Sequence, residues 1–320
     1  MIMENITTMS GFLLMGFSDT RELQILHALL FLMMYLLALA GNIIIITITT
    51  MDQRLQSPMY YFLKHLSLLD FSFISVTVPQ SIDNSLMDDG YISHGQCILQ
   101  VFFFTSLAWA EVIILTVMSY DRYAAICFPL HYEVIMDPSK CKRAVIAVWI
   151  NGSISGILHT AATFSITFCR AKIIHHFFCD VPQLRKLSCS SDYLGVVGVD
   201  TFMAMMAFIC FTSIVLSYIH IFSTVLRIPS TEGRSKAFST CLPHLFVVSF
   251  FFSTGIFEFL KPNSDSPTFF DLMISIFYTV MPPTLNPIIY SLRNEAMKEA
   301  FRKLLLGGEF TKKKTFLSYY

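Results

Sequence analysis

Apolar residues along this chain come in long runs, without the regular polar face of a soluble helix or the alternation of a half-buried strand. Seven runs stand out, at about Leu23–Thr49, Pro58–Ser81, Gln96–Ile126, Ala144–Phe168, Gly195–Leu226, Ala237–Leu260 and Thr268–Leu292. Each is longer than the roughly 18 to 20 residues a helix needs to cross bilayer hydrocarbon. Most carry scattered Ser, Thr, Asn or a single acid. A polar group facing lipid is expensive, so such runs predict a bundle whose polar side chains turn inward. The pattern changes after the last run. Between Arg293 and Leu306, Ala296, Met297, Ala300, Phe301, Leu304 and Leu305 share one helical face, with Lys298, Arg302 and Lys303 on the other. That spacing predicts a short amphipathic helix lying on a membrane surface. The expected fold is an all-α membrane protein: an extracellular segment 1–22, a seven-transmembrane helix bundle 23–292, and a cytoplasmic amphipathic helix and tail 293–320.

Composition narrows the function classes. Of 320 residues, 54% are hydrophobic and only 14% charged, with a mean hydropathy of +0.61. Soluble domains carry about a quarter charged residues, so what this chain lacks is charge. Little length remains for a separate soluble catalytic or nucleic-acid-binding domain. The 22 basic residues balance 22 acidic ones, so net charge points to no partner. Their distribution says more. Segments 51–57, 128–143, 227–236 and the tail hold 14 of the 22 basic residues, and the opposite loops hold 6. Basic residues collect on the cytoplasmic side, which predicts an outer N-terminus and an inner C-terminus, as an odd number of crossings requires. No cleavable signal pattern precedes the first run, which is expected to act as the insertion signal itself. Asn5-Ile6-Thr7 is a glycosylation sequon on the outer side. Asn151-Gly152-Ser153 repeats the pattern inside an apolar run, out of the transferase's reach.

Candidate chemistry is sparse. Cys97, Cys169, Cys179 and Cys189 fall on the outer, oxidising side, where four cysteines allow three pairings. His175 and His176, between Cys169 and Cys179, raise a zinc reading, but the spacing lacks the close ligand pair of structural zinc sites. Disulfides are expected, and no metal. Asp70, Glu111 and Asn286 are oxygen-bearing groups within apolar helices that a bundle could gather around a cation such as Na+; the alternative is a hydrogen-bonded cluster without an ion. Arg122 follows Asp121, whose carboxylate could hold its guanidinium. His159 and His244 lie on apolar runs with no nucleophile or carboxylate at a recognisable spacing and read as structural. No nucleophile elbow, phosphate loop, HExxH pattern or paired-Cys zinc motif occurs, so no enzyme is expected. Pro282, Pro283 and Pro287 interrupt the last run and Pro243 the sixth, and each kink frees carbonyls that need new partners.

Several of these segments carry a resemblance. They are Gly41-Asn42; Pro58-Met59-Tyr60-Tyr61-Phe62-Leu63 with Leu66-Ser67-Leu68-Leu69-Asp70; Met118-Ser119-Tyr120-Asp121-Arg122-Tyr123; Ser217-Tyr218; Lys236-Ala237-Phe238-Ser239-Thr240-Cys241; and Pro283-Thr284-Leu285-Asn286-Pro287-Ile288-Ile289-Tyr290. Taken in order, the chain resembles the rhodopsin-like (class A) seven-helix receptors, and within them the odorant receptors. The resemblance implies a plasma-membrane receptor that binds a small, mostly apolar volatile and activates a stimulatory, olfactory-type heterotrimeric G protein to raise cAMP. Asp121, Arg122 and Tyr123 would form the switch facing the G protein, with Tyr218, Asn286, Pro287 and Tyr290 supporting its active state. Asp70, Glu111 and Asn286 would form the mid-membrane polar site. Cys97 would bridge to Cys179 and Cys169 to Cys189, with Cys97–Cys189 the alternative.

Counting along the spans gives the expected ligand-lining residues: Thr105, Ala108 and Trp109 on the third, Phe202 and Met206 on the fifth, Phe252, Ile256 and Phe259 on the sixth, Tyr278 and Thr279 on the seventh. Aromatics and Met with a few hydroxyls suit a ligand held by dispersion and one or two hydrogen bonds. Asp200, near the outer end of the fifth span, is the acid to watch. The sequence departs from the family pattern at Pro243, Phe252 and Arg185. A receptor for an amine or peptide should show an acidic outer pocket or a longer N-terminus. A transporter should use Asp70 and Glu111 as an ion relay.

Overall fold

The computed structural model of the chain describes residues 11–14, 20–87, 90–168, 173–174, 176–188, 194–260, 273, 276–292 and 295–306. The principal helices are α1 (Arg21–Met51), α2 (Pro58–Met87), α3 (His94–Cys127), α4 (Pro138–Phe164), α5 (Leu194–Leu226), α6 (Thr231–Leu260), α7 (Met281–Leu292) and α8 (Glu295–Leu305). Single turns at Tyr132–Ile135 and Val181–Lys186 sit in the connections. Among the described residues, α1, α3, α4, α5 and α6 are long and apolar enough to cross a membrane. The 30-residue α2 is more polar because it is packed inside: Asp70, Thr77, Ser81 and Ser85 on it are all buried. Thr77 and Ser81 donate their hydroxyls to the carbonyls four residues back, which is how a helix keeps such side chains without exposing them. The last span is described from residue 276, and Val280 N donates to Ile276 O at 2.8 Å as it runs into α7.

Local chemistry accounts for the helix ends. Ser93 and Gln96 form a reciprocal capping box at the start of α3. The side chain of Asp137 caps α4, with Pro138 as its first residue, so that helix begins six residues before its apolar run. The outward faces are apolar: Met33 and Leu36 on α1 and Phe208 and Ile219 on α5 each leave more than half of their surface open. A belt of that kind belongs in lipid. Within the bundle, glycine sets one contact distance. A Cβ at Gly156 would overlap the Ser106 side chain and lie 2.8 Å from Phe102 O, so α3 and α4 touch backbone to backbone here.

The end that holds Cys97 carries a feature absent from the expected all-helical layout. Gly11–Leu14 (β1) pairs antiparallel with Tyr91–Ser93 (β2) and parallel with Ile173–Ile174 (β3). Phe12, Ile92 and Ile174 are buried with Cys97, Cys179 and Leu184 beneath this small sheet. At the opposite end α8 folds back on the bundle, with Met297 and Ala300 fully buried and Leu305 outward. Ala296, Met297, Ala300 and Leu304 of its apolar face thus meet protein, while Phe301 and Leu305 face out.

Candidate functional site

At the sheet end, Cys97 of α3 is joined to Cys179, 82 residues later. The bond brings the segment 176–180 down between the helices, where Phe177, Phe178, Cys179 and Asp180 are all at most 2% exposed. Gln100, one turn below Cys97, fixes it further: its Oε1 accepts from Cys179 N at 2.8 Å while its Nε2 donates to Val76 O on α2. Beneath this plug Phe104 meets Phe73, Phe178 and Tyr278, with ring centroids 4.9, 4.9 and 5.7 Å away. Of the expected ligand-lining residues, Thr105 and Thr279 are buried, and Ala108, Trp109, Met206, Phe252 and Tyr278 are partly buried. The Thr105 hydroxyl donates to Val101 O of its own helix. Phe252 packs on Phe211 of α5, 5.3 Å away. Phe202 and Ile256 leave 47% and 50% of their surface open; helical counting put them in the interior, and the rotation of α5 and α6 puts them at its margin. The side chain of Phe259 lies outside the described residues, as do Asn5, Cys169, His175 and Cys189. Among the described residues, no group of three His, Cys, Asp or Glu could hold a metal ion.

Asp200 has a partner. Arg185, from the Val181–Lys186 turn, makes a bidentate ion pair with it, with Nη2 at 2.6 Å from Oδ1. The acid at the head of α5 is therefore already paired with a basic residue.

Mid-bundle, Asp70, Glu111 and Asn286 come together from α2, α3 and α7, each at most 3% exposed. Asn286 Nδ2 donates to both Asp70 oxygens, at 3.0 and 3.2 Å. Glu111 Oε1 has no hydrogen-bond partner. Two buried carboxyl groups with a single amide donor form an acceptor-rich cluster. Close by, Pro287 has no N–H to give the carbonyl of Pro283, and Asn42 Nδ2 of α1 supplies the bond at 2.9 Å. Gly41 allows that approach, since a Cβ there would lie 2.9 Å from the Pro287 ring. Gly41-Asn42 and Pro287 are thus two halves of one joint.

At the far end the expected pairing of Asp121 with Arg122 is absent: no ion pair joins them among the described residues. The Asp121 carboxylate, 2% exposed, accepts instead from the Tyr132 hydroxyl at 2.7 Å. Side chains at adjacent helical positions diverge by about 100°, so one loop tyrosine reaches the acid more readily than its sequence neighbour. Arg122 lies near Tyr218, His244 and Tyr290. His244 Nε2 is 3.1 Å from Leu115 O, and its Nδ1 is 2.7 Å from the Tyr218 hydroxyl. A carbonyl can only accept, so Nε2 carries the proton, Nδ1 accepts, and Tyr218 donates. The histidine is fully satisfied, as expected of a structural one, but its partners tie α6 to α3 and α5 beside Arg122. The Tyr290 hydroxyl is buried with no partner.

Sequence reasoning missed Gln100, Phe104, Phe178, Tyr132 and the His244 linkage. For the first three the available signal was the pair Phe177-Phe178 next to a loop cysteine. Tyr132 carried none.

Comparison with known proteins places this architecture. A profile for olfactory receptors matches residues 31–307. Olfactory receptor 14J1 of Homo sapiens is 67% identical over 315 residues, 98% of each chain. Olfactory receptor 14A16 of Homo sapiens is 52% identical over 311 residues, 97% of this chain and all of the relative. With membrane-length helices in place, the chain belongs to the olfactory receptor family of seven-helix, multi-pass plasma-membrane receptors, which are not enzymes.

Proposed function

We propose that the chain binds a small, mostly apolar volatile among the outer halves of α3, α5, α6 and the last span. It then activates a stimulatory, olfactory-type heterotrimeric G protein and raises cAMP. The Tyr218–His244–Leu115 linkage beside Arg122 carries this reading, because it is a joint between α3, α5 and α6 that can be broken by moving one helix. Ligand acts by population shift: it favours the active arrangement only by its differential affinity for it. The switch residues Asp121, Arg122, Tyr123, Tyr218, Asn286, Pro287 and Tyr290 face the G protein or support that face. Engagement of Asp200 by Arg185 argues against an ammonium ligand held at the head of α5. The excess of basic residues near the Arg122 end supports a cytoplasmic position for that end and an outer one for the sheet end. A second bridge, Cys169–Cys189, is supported by the isolated pairing of the preceding residues, Phe168 and Ser188. The Asp70, Glu111 and Asn286 cluster has the donor set for Na+, since a bound cation would offset two buried carboxylates.

The test is cAMP in cells co-expressing the chain and a stimulatory olfactory-type G protein, exposed to a chemically varied volatile panel with surface staining in parallel. A dose-dependent rise absent from mock cells is expected. Silence across the panel with strong staining counts against the reading. Ligand-independent ion flux in proteoliposomes would favour the transporter.

A further inference from the structure

A groove of about 630 Å3 opens on the outside of the bundle between α3, α4, α5 and the Tyr132–Ile135 turn. That volume is in the range of small-molecule sites, and nothing in the receptor's signalling role uses it. Its apolar wall includes Phe62, Val117, Met136 and Ala144. Five polar side chains of the wall have given their protons to nearby carbonyls, and the half-exposed Tyr120 lines the groove beside them. Thr116 donates to Val112 O, Ser119 to Thr116 O, Ser213 to Ile209 O and Ser217 to Ser213 O, all at 2.7–2.9 Å. The Cys141 thiol points to Met136 O at 3.6 Å. None of these five has a donor left to orient a polar ligand, so the groove suits a hydrocarbon chain. One cation stands at its mouth. Lys140 lines the groove, is exposed, and spends a single N–H on Val134 O at 2.7 Å. An ammonium has three donors, so two remain. Lys142 and Arg143 follow on exposed positions; of the acids nearby, Asp137 is engaged by Ser139 at the start of α4 and Glu133 is exposed on the turn.

We propose that this groove holds one acyl chain of an anionic phospholipid, with the head-group phosphate on Lys140. Ile135 and Met136, which line it, adjoin Tyr132, the residue that holds Asp121. A chain lying in the groove therefore braces the turn that positions the switch carboxylate. That this lipid comes from the cytoplasmic leaflet rests on the orientation proposed above. Binding itself does not, and a measurement of binding separates the two.

The full-length receptor is placed in nanodiscs of equimolar phosphatidylserine and phosphatidylcholine, extracted, and the retained lipid identified by native mass spectrometry. The wild type is expected to keep phosphatidylserine over phosphatidylcholine by about fivefold, the worth of one basic side chain at an anionic surface. Lys140→Ala should bring that ratio close to one while a lipid is still held. Ser213→Phe, which fills the groove from an exposed position on α5, should release the lipid, and Lys298→Ala on α8 should change neither. Equal retention of the two lipids by the wild type overturns the proposal. So does unchanged phosphatidylserine retention in both Lys140→Ala and Ser213→Phe.

Discussion

At the scale of single residues, the informative side chains are those whose partners lie on another helix. His244→Ala removes a buried ring and strands the Tyr218 hydroxyl and the Leu115 carbonyl. Loss of a buried side chain costs about 2–5 kcal/mol, and each orphaned polar group about 1–3 kcal/mol. The purified variant should therefore melt well below the wild type, and an unchanged melting temperature would remove the linkage from the account. Asp70→Asn keeps the shape of the mid-bundle site and removes one of its charges. The wild type is expected to melt higher in sodium chloride than in choline chloride, and the variant to melt alike in both. A salt difference that survives the substitution would mean that the cation does not sit at Asp70.

At the scale of elements, close approach and loop clamps decide the packing. Gly156→Leu forces α3 and α4 apart, at an overpacking cost of about 1–3 kcal/mol, and should sharply reduce surface expression. Gly195→Ala, with nothing within 4 Å of the added atom, should not. The α8 helix is held by Arg54, which donates to Glu299 at 2.8 Å while also binding Asp52 at 2.8 Å. Arg54 holds the Asp52 carboxyl below its ordinary range, chiefly through their side-chain hydrogen bonds. A depressed folded pKa stabilises above the unfolded value of about 3.9 and loses that contribution as pH falls through the lower folded value. The melting difference between wild type and Asp52→Asn should thus be steady near neutrality and narrow below about pH 4. A difference that widens on acidification would contradict the assignment. Much at this scale was legible in sequence: the spans, the amphipathic face of α8 and the pairing of a kinked last span with inward polar groups follow from local composition. The β1, β2 and β3 strands were not, because two to four residues carry no period and their pairing joins segments about 80 and 160 residues apart. The Asp121–Tyr132 bond was hidden for a similar reason, since a loop conformation decides it.

On the scale of the whole molecule, the two ends of the bundle are built differently. One end is closed by a sheet, a disulfide and a plug of phenylalanines over an aromatic interior. The other gathers Arg122, Tyr218, His244 and Tyr290 at the junction of α3, α5, α6 and α7. The mid-bundle acids lie between them, joining α2, α3 and α7. The account holds that ligand bound beneath the plug changes the arrangement around Arg122, and that this change drives nucleotide exchange. The direct measurement is guanine-nucleotide exchange on the stimulatory G protein, in membranes bearing the receptor or its Arg122→Ala variant at matched surface density, with an active odorant from the panel. The account predicts odorant-accelerated exchange with the wild type and none with Arg122→Ala. Equal acceleration by the two receptors would contradict it.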